Sequence, residues 1–212
     1  MTALFAKELI VILKNNKFSL IAIPVFIAIG LIYKQMMFMM IVPALFSMLP
    51  LGTMTYDEIS HWDLYVQALP VNKKKIVTSK YLAVITLALL SAVLIGTIMF
   101  IIKFFDSATT NNTIVFMILS ALFIGMVIPC ISIPINFKFG TSRGRFVYLM
   151  IVGLICGIFP NIILSDASKI TAKLVELVRT PLILTFISLG ILIMMIFISW
   201  LVSVSVYEKK EA

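Results

Sequence analysis

Six long apolar runs alternate with short charged clusters along the chain, at about residues 18–33, 36–55, 81–102, 113–135, 146–164 and 182–206. A helical run of roughly 20 apolar residues matches the ~30 Å hydrocarbon core of a bilayer. None of these runs has the polar stripe by which a soluble amphipathic helix meets water. The pattern predicts an all-α polytopic integral membrane protein, with residues 1–212 forming one transmembrane domain of six transmembrane helices. The first run, Phe18–Tyr33, is short and borrows residues around Lys17, whose aliphatic stem can snorkel. The second is rich in Met and carries Pro43 and Pro50, which kink a membrane helix where neighbours re-satisfy the backbone. In the fifth, Gly153 and Gly157 stand four apart, a spacing that lets another helix approach closely.

Two further stretches are amphipathic and too polar to span. Over residues 3–16, Phe5, Leu9, Ile12 and Leu13 share one face of a helix, and Lys7, Glu8, Lys14 and Asn15 take the other. That predicts an interfacial helix with its apolar face down in the headgroups, the alternative being a fraying extension of the first span. Over Ser165–Thr180, Ile170, Leu174, Leu177 and Val178 oppose Lys169, Lys173 and Glu176, which predicts a short outer helix on the membrane surface, ahead of a sixth span that Pro181 begins.

The polar stretch Tyr56–Lys80 separates the second and third spans. Thr55 and Glu58 fit the spacing of a capping box, which would start a helix at Asp57. Ile59, Trp62, Val66 and Leu69 recur on one face with Tyr65 beside them, and Asp57, Ser60, Asp63 and Gln67 lie on the other. Pro70 ends the helix, and Asn72 can cap the next one. Lys73, Lys74 and Lys75 oppose the dipole of that next helix, so their use is membrane-surface anchoring, at anionic headgroups or as a marker of the cytoplasmic side. Two readings stay open for the loop: an interfacial connector with Trp62 and Tyr65 as aromatic anchors, or a helix that docks a soluble protein.

Composition agrees. The chain is 62% hydrophobic and 12% charged, against about 25% charged for soluble domains. The net charge of +8 reflects distribution, and it does not indicate nucleic-acid binding. Twelve of the 17 basic residues fall on one side: near the N-terminus, in Tyr56–Lys80, in Asn136–Arg145 and in the tail. The remaining five, Lys34, Lys103, Lys169, Lys173 and Arg179, fall on the other. Positive-inside therefore places both termini and the Tyr56–Lys80 loop in the cytoplasm. No small-residue cleavage site follows the N-terminal charges, so no removable signal is expected.

Chemistry is sparse. The central part of each span lacks acidic and basic residues, which argues against ion-coupled transport and intramembrane proteolysis. Cys130 and Cys156 sit apart in apolar runs and His61 is the one His, so no metal site is expected. There is no G-x-x-x-x-G-K-[ST] phosphate loop, so any ATP-driven work must come through another subunit.

The order YDE-x-S-x-WD-x-Y-x-x-ALPV-x-x-K-x-IV-x-SKYL at Tyr56–Leu82 resembles the cytoplasmic loop of small six-span ABC-2-type permeases, and the layout of the remaining chain is similar to theirs. The resemblance implies a permease paired with a second permease chain, identical or homologous, each receiving a cytoplasmic ATP-binding subunit that carries ATP and Mg. No cofactor is expected on this chain itself. The loop would be the coupling helix, with Asp57, Glu58, Trp62, Asp63, Tyr65, Leu69 and Pro70 as the ATPase-coupling element. The N-terminal helix would be the interfacial elbow, and Ile170, Lys173, Leu174 and Leu177 would belong to an outer gate. The chain lacks the sizeable outer domain of larger members. The second and fifth spans tend to line the pathway in this family, and here they are Met-, Phe- and Gly-bearing without charge. The resemblance extends to exporters of antibiotics and of cytolytic amphipathic peptides, including phenol-soluble-modulin-type toxins. The expectation is therefore an ATP-driven exporter of hydrophobic or amphipathic cargo in the cell membrane. Its rivals are a membrane scaffold or sensor partner without transport, and an ATP-independent channel or carrier.

Overall fold

In a computed structural model, residues 2–33, 36–67, 72–105, 111–144 and 181–209 are described. They are all-helical, with no strand among them. The helices are α1 (Thr2–Asn15), α2 (Lys17–Tyr33), α3 (Met36–Met39), α4 (Ile41–Ile59), α5 (Trp62–Gln67), α6 (Lys73–Phe105), α7 (Asn111–Phe139) and α8 (Pro181–Lys209). The predicted fifth span with Gly153 and Gly157, and the outer helix with Ile170, Lys173, Leu174 and Leu177, lie outside the described residues. So do Leu69 and Pro70.

Three segments are long and apolar enough to cross a membrane: Lys73–Phe104, Asn111–Phe139 and Thr185–Lys209. Ala3–Asn15 and Lys17–Tyr33 are bent by 72° at their junction and would count together as one more. At 1.5 Å per residue, α6 is about 50 Å long and overshoots the hydrocarbon core at its ends. Asn72 starts it: the Lys74 N–H donates to Asn72 Oδ1 at 3.1 Å.

The predicted second span is not one straight helix. It breaks at Met40 into α3 and α4. A proline ring clashes with the carbonyl four residues earlier, and for Pro43 that residue is Met39, the last of α3. Pro50 stays within α4.

α6 is the shared element, packing on α1, α4, α7 and α8. Where it crosses α7, a side chain at Gly125 would bring a Cβ within 3.2 Å of the Ala88 Cβ and 3.4 Å of its Cα, so anything larger than glycine would press the two helices apart. In lipid, helices associate through such close packing and through hydrogen bonds, because the tails are as apolar as leucine.

The hydrogen bonds are at the end of the bundle where α4, α7 and α8 finish and α6 begins. Pro134 has no N–H to offer the Cys130 carbonyl one turn back. Ser199 of α8 supplies the donor, its Oγ 2.5 Å from that oxygen. With the Ser199 proton committed, the Tyr81 hydroxyl at 2.6 Å donates to Ser199, and Ser203 at 2.8 Å donates to Tyr81. Trp200 Nε1 donates to Thr78 Oγ1 at 3.2 Å. One relay thus joins α6, α7 and α8.

Candidate functional site

The same end of the bundle carries Tyr56–Lys80. A capping box needs its first residue outside helical geometry, but α4 has already been helical since Ile41 and nothing breaks it before Ser60. Thr55 is therefore mid-helix, its hydroxyl bonding back to the Leu51 carbonyl at 3.4 Å. The predicted helix from Asp57 is corrected: Asp57 and Glu58 belong to the last turn of α4, and a separate helix follows.

The break has a defined geometry. The Ser60 and His61 N–H groups bond back to Tyr56 and Glu58 carbonyls, closing α4, and His61 adopts a left-handed φ of 52°. That turn rotates Ile59 off the face predicted for it: Ile59 is 69% exposed, while Val66 on α5 is buried in the core with Met54, Ile76 and Tyr207. Trp62 packs against this core and pairs with Tyr65 at 5.4 Å between ring centroids. Tyr65 is 60% exposed. Asp63 lies on α5.

Below the break, the two carboxylates face inward. Asp57, 9% exposed, accepts from Lys7 of α1 and, at 2.6 Å, from Lys80 of α6. Lys80, 5% exposed, also donates to Glu8 at 3.1 Å. Glu8 is 3% exposed, and Lys7 further covers the Trp62 ring at 4.5 Å. The polar stripe of α1 is therefore divided, with Lys14 and Asn15 exposed. Its Lys7 and Glu8 turn to the bundle, while Ile10 and Leu13 are exposed. On α1, burial raises the Glu8 pKa, but the charges of Lys80 and Lys7, with hydrogen bonds from Thr53 and Lys80, outweigh it and hold the pKa below 4.5.

Glu58 acts in another direction. Its Oε2 accepts from the Thr141 N–H at 2.6 Å and from the Thr141 hydroxyl. Gly140, at φ +78°, ends α7, and helical turns resume over residues 141–144. The Glu58 carboxylate thus caps that new start, where the helix dipole favours an anion.

A cleft of about 90 Å³ lies between these groups, lined by Asp57, Glu58, Trp62, Lys80, Thr141 and Tyr207 among others. That is room for a few waters, well below the ~300 Å³ of a small-ligand pocket. No group of three or more His, Cys, Asp or Glu that could hold a metal occurs among the described residues. At the rim, Lys74 lies 3.9 Å from Glu208, and Lys73 donates to the Glu208 carbonyl at 3.3 Å; Lys75 is exposed.

The structure therefore places Asp57 and Glu58, at the foot of α4, one turn before Trp62 and Tyr65 on α5. The arrangement has no cofactor cage and no nucleophile–base pair among its members. It is a short helix whose stem is braced from two sides and whose outer edge is open. Sequence reasoning missed Lys7, Glu8, Lys80 and Thr141 as parts of it; the only signal was that Glu8 and Lys80 are charges adjoining apolar runs. No curated protein and no solved structure matches the chain. The family model described as ABC-2 family transporter protein matches residues 3–208.

Proposed function

The chain belongs to the ABC-2 transporter family, and from that premise we propose that it is the permease subunit of an ATP-driven exporter, with α5 as the coupling helix on which a separate ATP-binding subunit docks. The family is typically non-catalytic and implies such a partner. The observation that carries the reading is the build of α5: a six-residue helix with Tyr65 open outward and its stem held by Asp57 and Glu58. A lever that turns ATP-driven closure of soluble subunits into helix motion must be short and firmly held at its base.

In this reading Trp62 and Tyr65, with Asp63, Leu69 and Pro70, meet the ATPase, and Asp57 and Glu58 brace the element from inside. Six spans with both termini on the α5 side belong to it, and it is supported by α7 and α8 both finishing at that end. Two permease chains and two ATPase chains in the plasma membrane complete the assembly, with Lys73, Lys74 and Lys75 at the headgroups, Gly153 and Gly157 at a helix contact, and Ile170, Lys173, Leu174 and Leu177 at an outer gate. The uncharged second and fifth runs favour a hydrophobic or amphipathic cargo such as a peptide toxin or antibiotic.

The test is ATP-dependent uptake of a labelled amphipathic helical peptide into inverted vesicles holding the chain and its ATPase. Uptake that needs ATP supports the proposal. Uptake without ATP or ATPase would point to a carrier, and no uptake despite a bound signalling protein would point to a scaffold.

A further inference from the structure

The coupling stem is joined to the bundle through a buried ion cluster that the exporter reading does not require. Lys80 sits two turns into α6, the helix that packs on α1, α4, α7 and α8. Its ammonium bonds Glu8 of α1 and Asp57 of α4 at once. All three side chains are buried, and the partners of Lys80 lie 72 and 23 residues away in sequence.

Stability alone is a poor reason for such a cluster, because well-packed neutral residues often replace a buried ion pair at no cost. Removing one member leaves an uncompensated charge, which makes the cluster all-or-none. The same elements touch at two more points. Asn16, at the α1–α2 bend, lies over Gly52 of α4, where a Cβ would come within 2.8 Å of its Oδ1, and the Tyr56 hydroxyl reaches the Asn15 carbonyl at 3.4 Å. α1 is thus seated along the last two turns of α4, and Lys80 fastens both to α6. Without that fastening, a push on α5 would be absorbed at the left-handed turn of Ser60–His61.

We propose that Lys80 is a positioning residue for energy coupling, making α1, the foot of α4 and the start of α6 one rigid body that carries motion of α5 into the membrane. The proposal rests on the reading of α5 as the coupling helix, and two measurements separate their failures. In the permease alone, in lipid nanodiscs, with Cys130 and Cys156 replaced by Ser, spin labels at the exposed positions Ile59 and Leu82 report the α4 foot against the start of α6. A narrow distance distribution is expected in the wild type and in Lys80→Arg, and a broad one in Lys80→Met. In the complex with the ATPase, with Cys130 and Cys156 replaced by Ser, a cysteine at Tyr33 on the far end of α2 is probed with an impermeant maleimide with and without ATP. ATP should change the labelling rate in the wild type and in Lys80→Arg. In Lys80→Met that response should fall by about fivefold or more, while basal ATP hydrolysis and co-purification of the ATPase stay as in the wild type.

A Lys80→Met protein with a narrow distance, or with a full ATP response, overturns the proposal and leaves the coupling reading intact. A wild type that neither binds an ATPase nor responds to ATP overturns both. Should Lys80→Met fail to insert, the set Lys7→Met, Glu8→Gln, Asp57→Asn, Lys80→Met neutralises all four charges that meet there, and its distance distribution is read the same way.

Discussion

Replacing Ser199 with Ala tests the relay that joins α6, α7 and α8. Ser199 Oγ is the donor to the Cys130 carbonyl at 2.5 Å, and the residue whose N–H would normally serve that oxygen is Pro134. The substitution would leave the carbonyl without a donor and the Tyr81 hydroxyl without its Ser199 acceptor. An unmet buried polar group costs about 1–3 kcal/mol, and hydrogen-bond deletions between membrane helices average nearer ~0.6 kcal/mol with a maximum of ~1.7. We expect about 1–1.5 kcal/mol, the upper part of the membrane range, because proline leaves the carbonyl no alternative inside its own helix. The assay is reversible unfolding in mixed micelles with rising SDS, followed by tryptophan fluorescence; Trp200, bonded to Thr78, reports separation of α8 from α6. The control is the same change in a Pro134→Ala background, where residue 134 can bond Cys130 directly. There Ser199→Ala should cost less than half as much. Equal costs in both backgrounds would refute the account of why Ser199 is there.

Three more outcomes follow from the geometry. Gly125→Val should push α7 off Ala88 and destabilise the bundle by about 1–3 kcal/mol, read in the same SDS titration, whereas Gly190→Val, with open space around it, should not. Glu58→Ala should cost about 0.5–2 kcal/mol as a lost cap and speed hydrogen exchange at the Thr141 amide. The third concerns pH: with its pKa held below 4.5, Glu8 contributes stability that is present above that value and lost as pH falls through the lower, folded one. In Lys80→Met, burial of Glu8 is opposed only by Lys7 and the Thr53 hydrogen bond, so the penalty measured at about pH 7 should shrink as acid protonates the carboxyl. A penalty constant from neutral pH to about pH 4.5 would contradict the cluster.

Periodicity and punctuation made much of the fold legible. The apolar run at Phe18–Tyr33 is helical as α2 with one residue added, Asn72 caps α6, and Pro181 opens α8. Those signals are local, and local chemistry decides them. The site was less legible for two reasons. The Thr55–Glu58 pattern matched a cap, but a cap also needs the preceding chain to be non-helical, and four residues cannot show that. The second reason is distance along the chain. Lys7, Asp57 and Lys80 meet only because α1 folds back on α4 at the α1–α2 bend, so the positive-inside count placed Lys80 at the polar end and said nothing of its partners. His61 likewise carried no sign of a left-handed turn, a position glycine usually fills.

The central claim is that α5 is where an ATP-binding subunit touches this chain. A photo-crosslinking residue in place of Tyr65, activated in intact cells, tests that contact without presuming the cargo. The account predicts a covalent adduct with a soluble subunit bearing a G-x-x-x-x-G-K-[ST] phosphate loop, and loss of that adduct when Trp62 is changed to Ala. Adducts with lipid alone, or with a soluble protein that has no such loop, would contradict it.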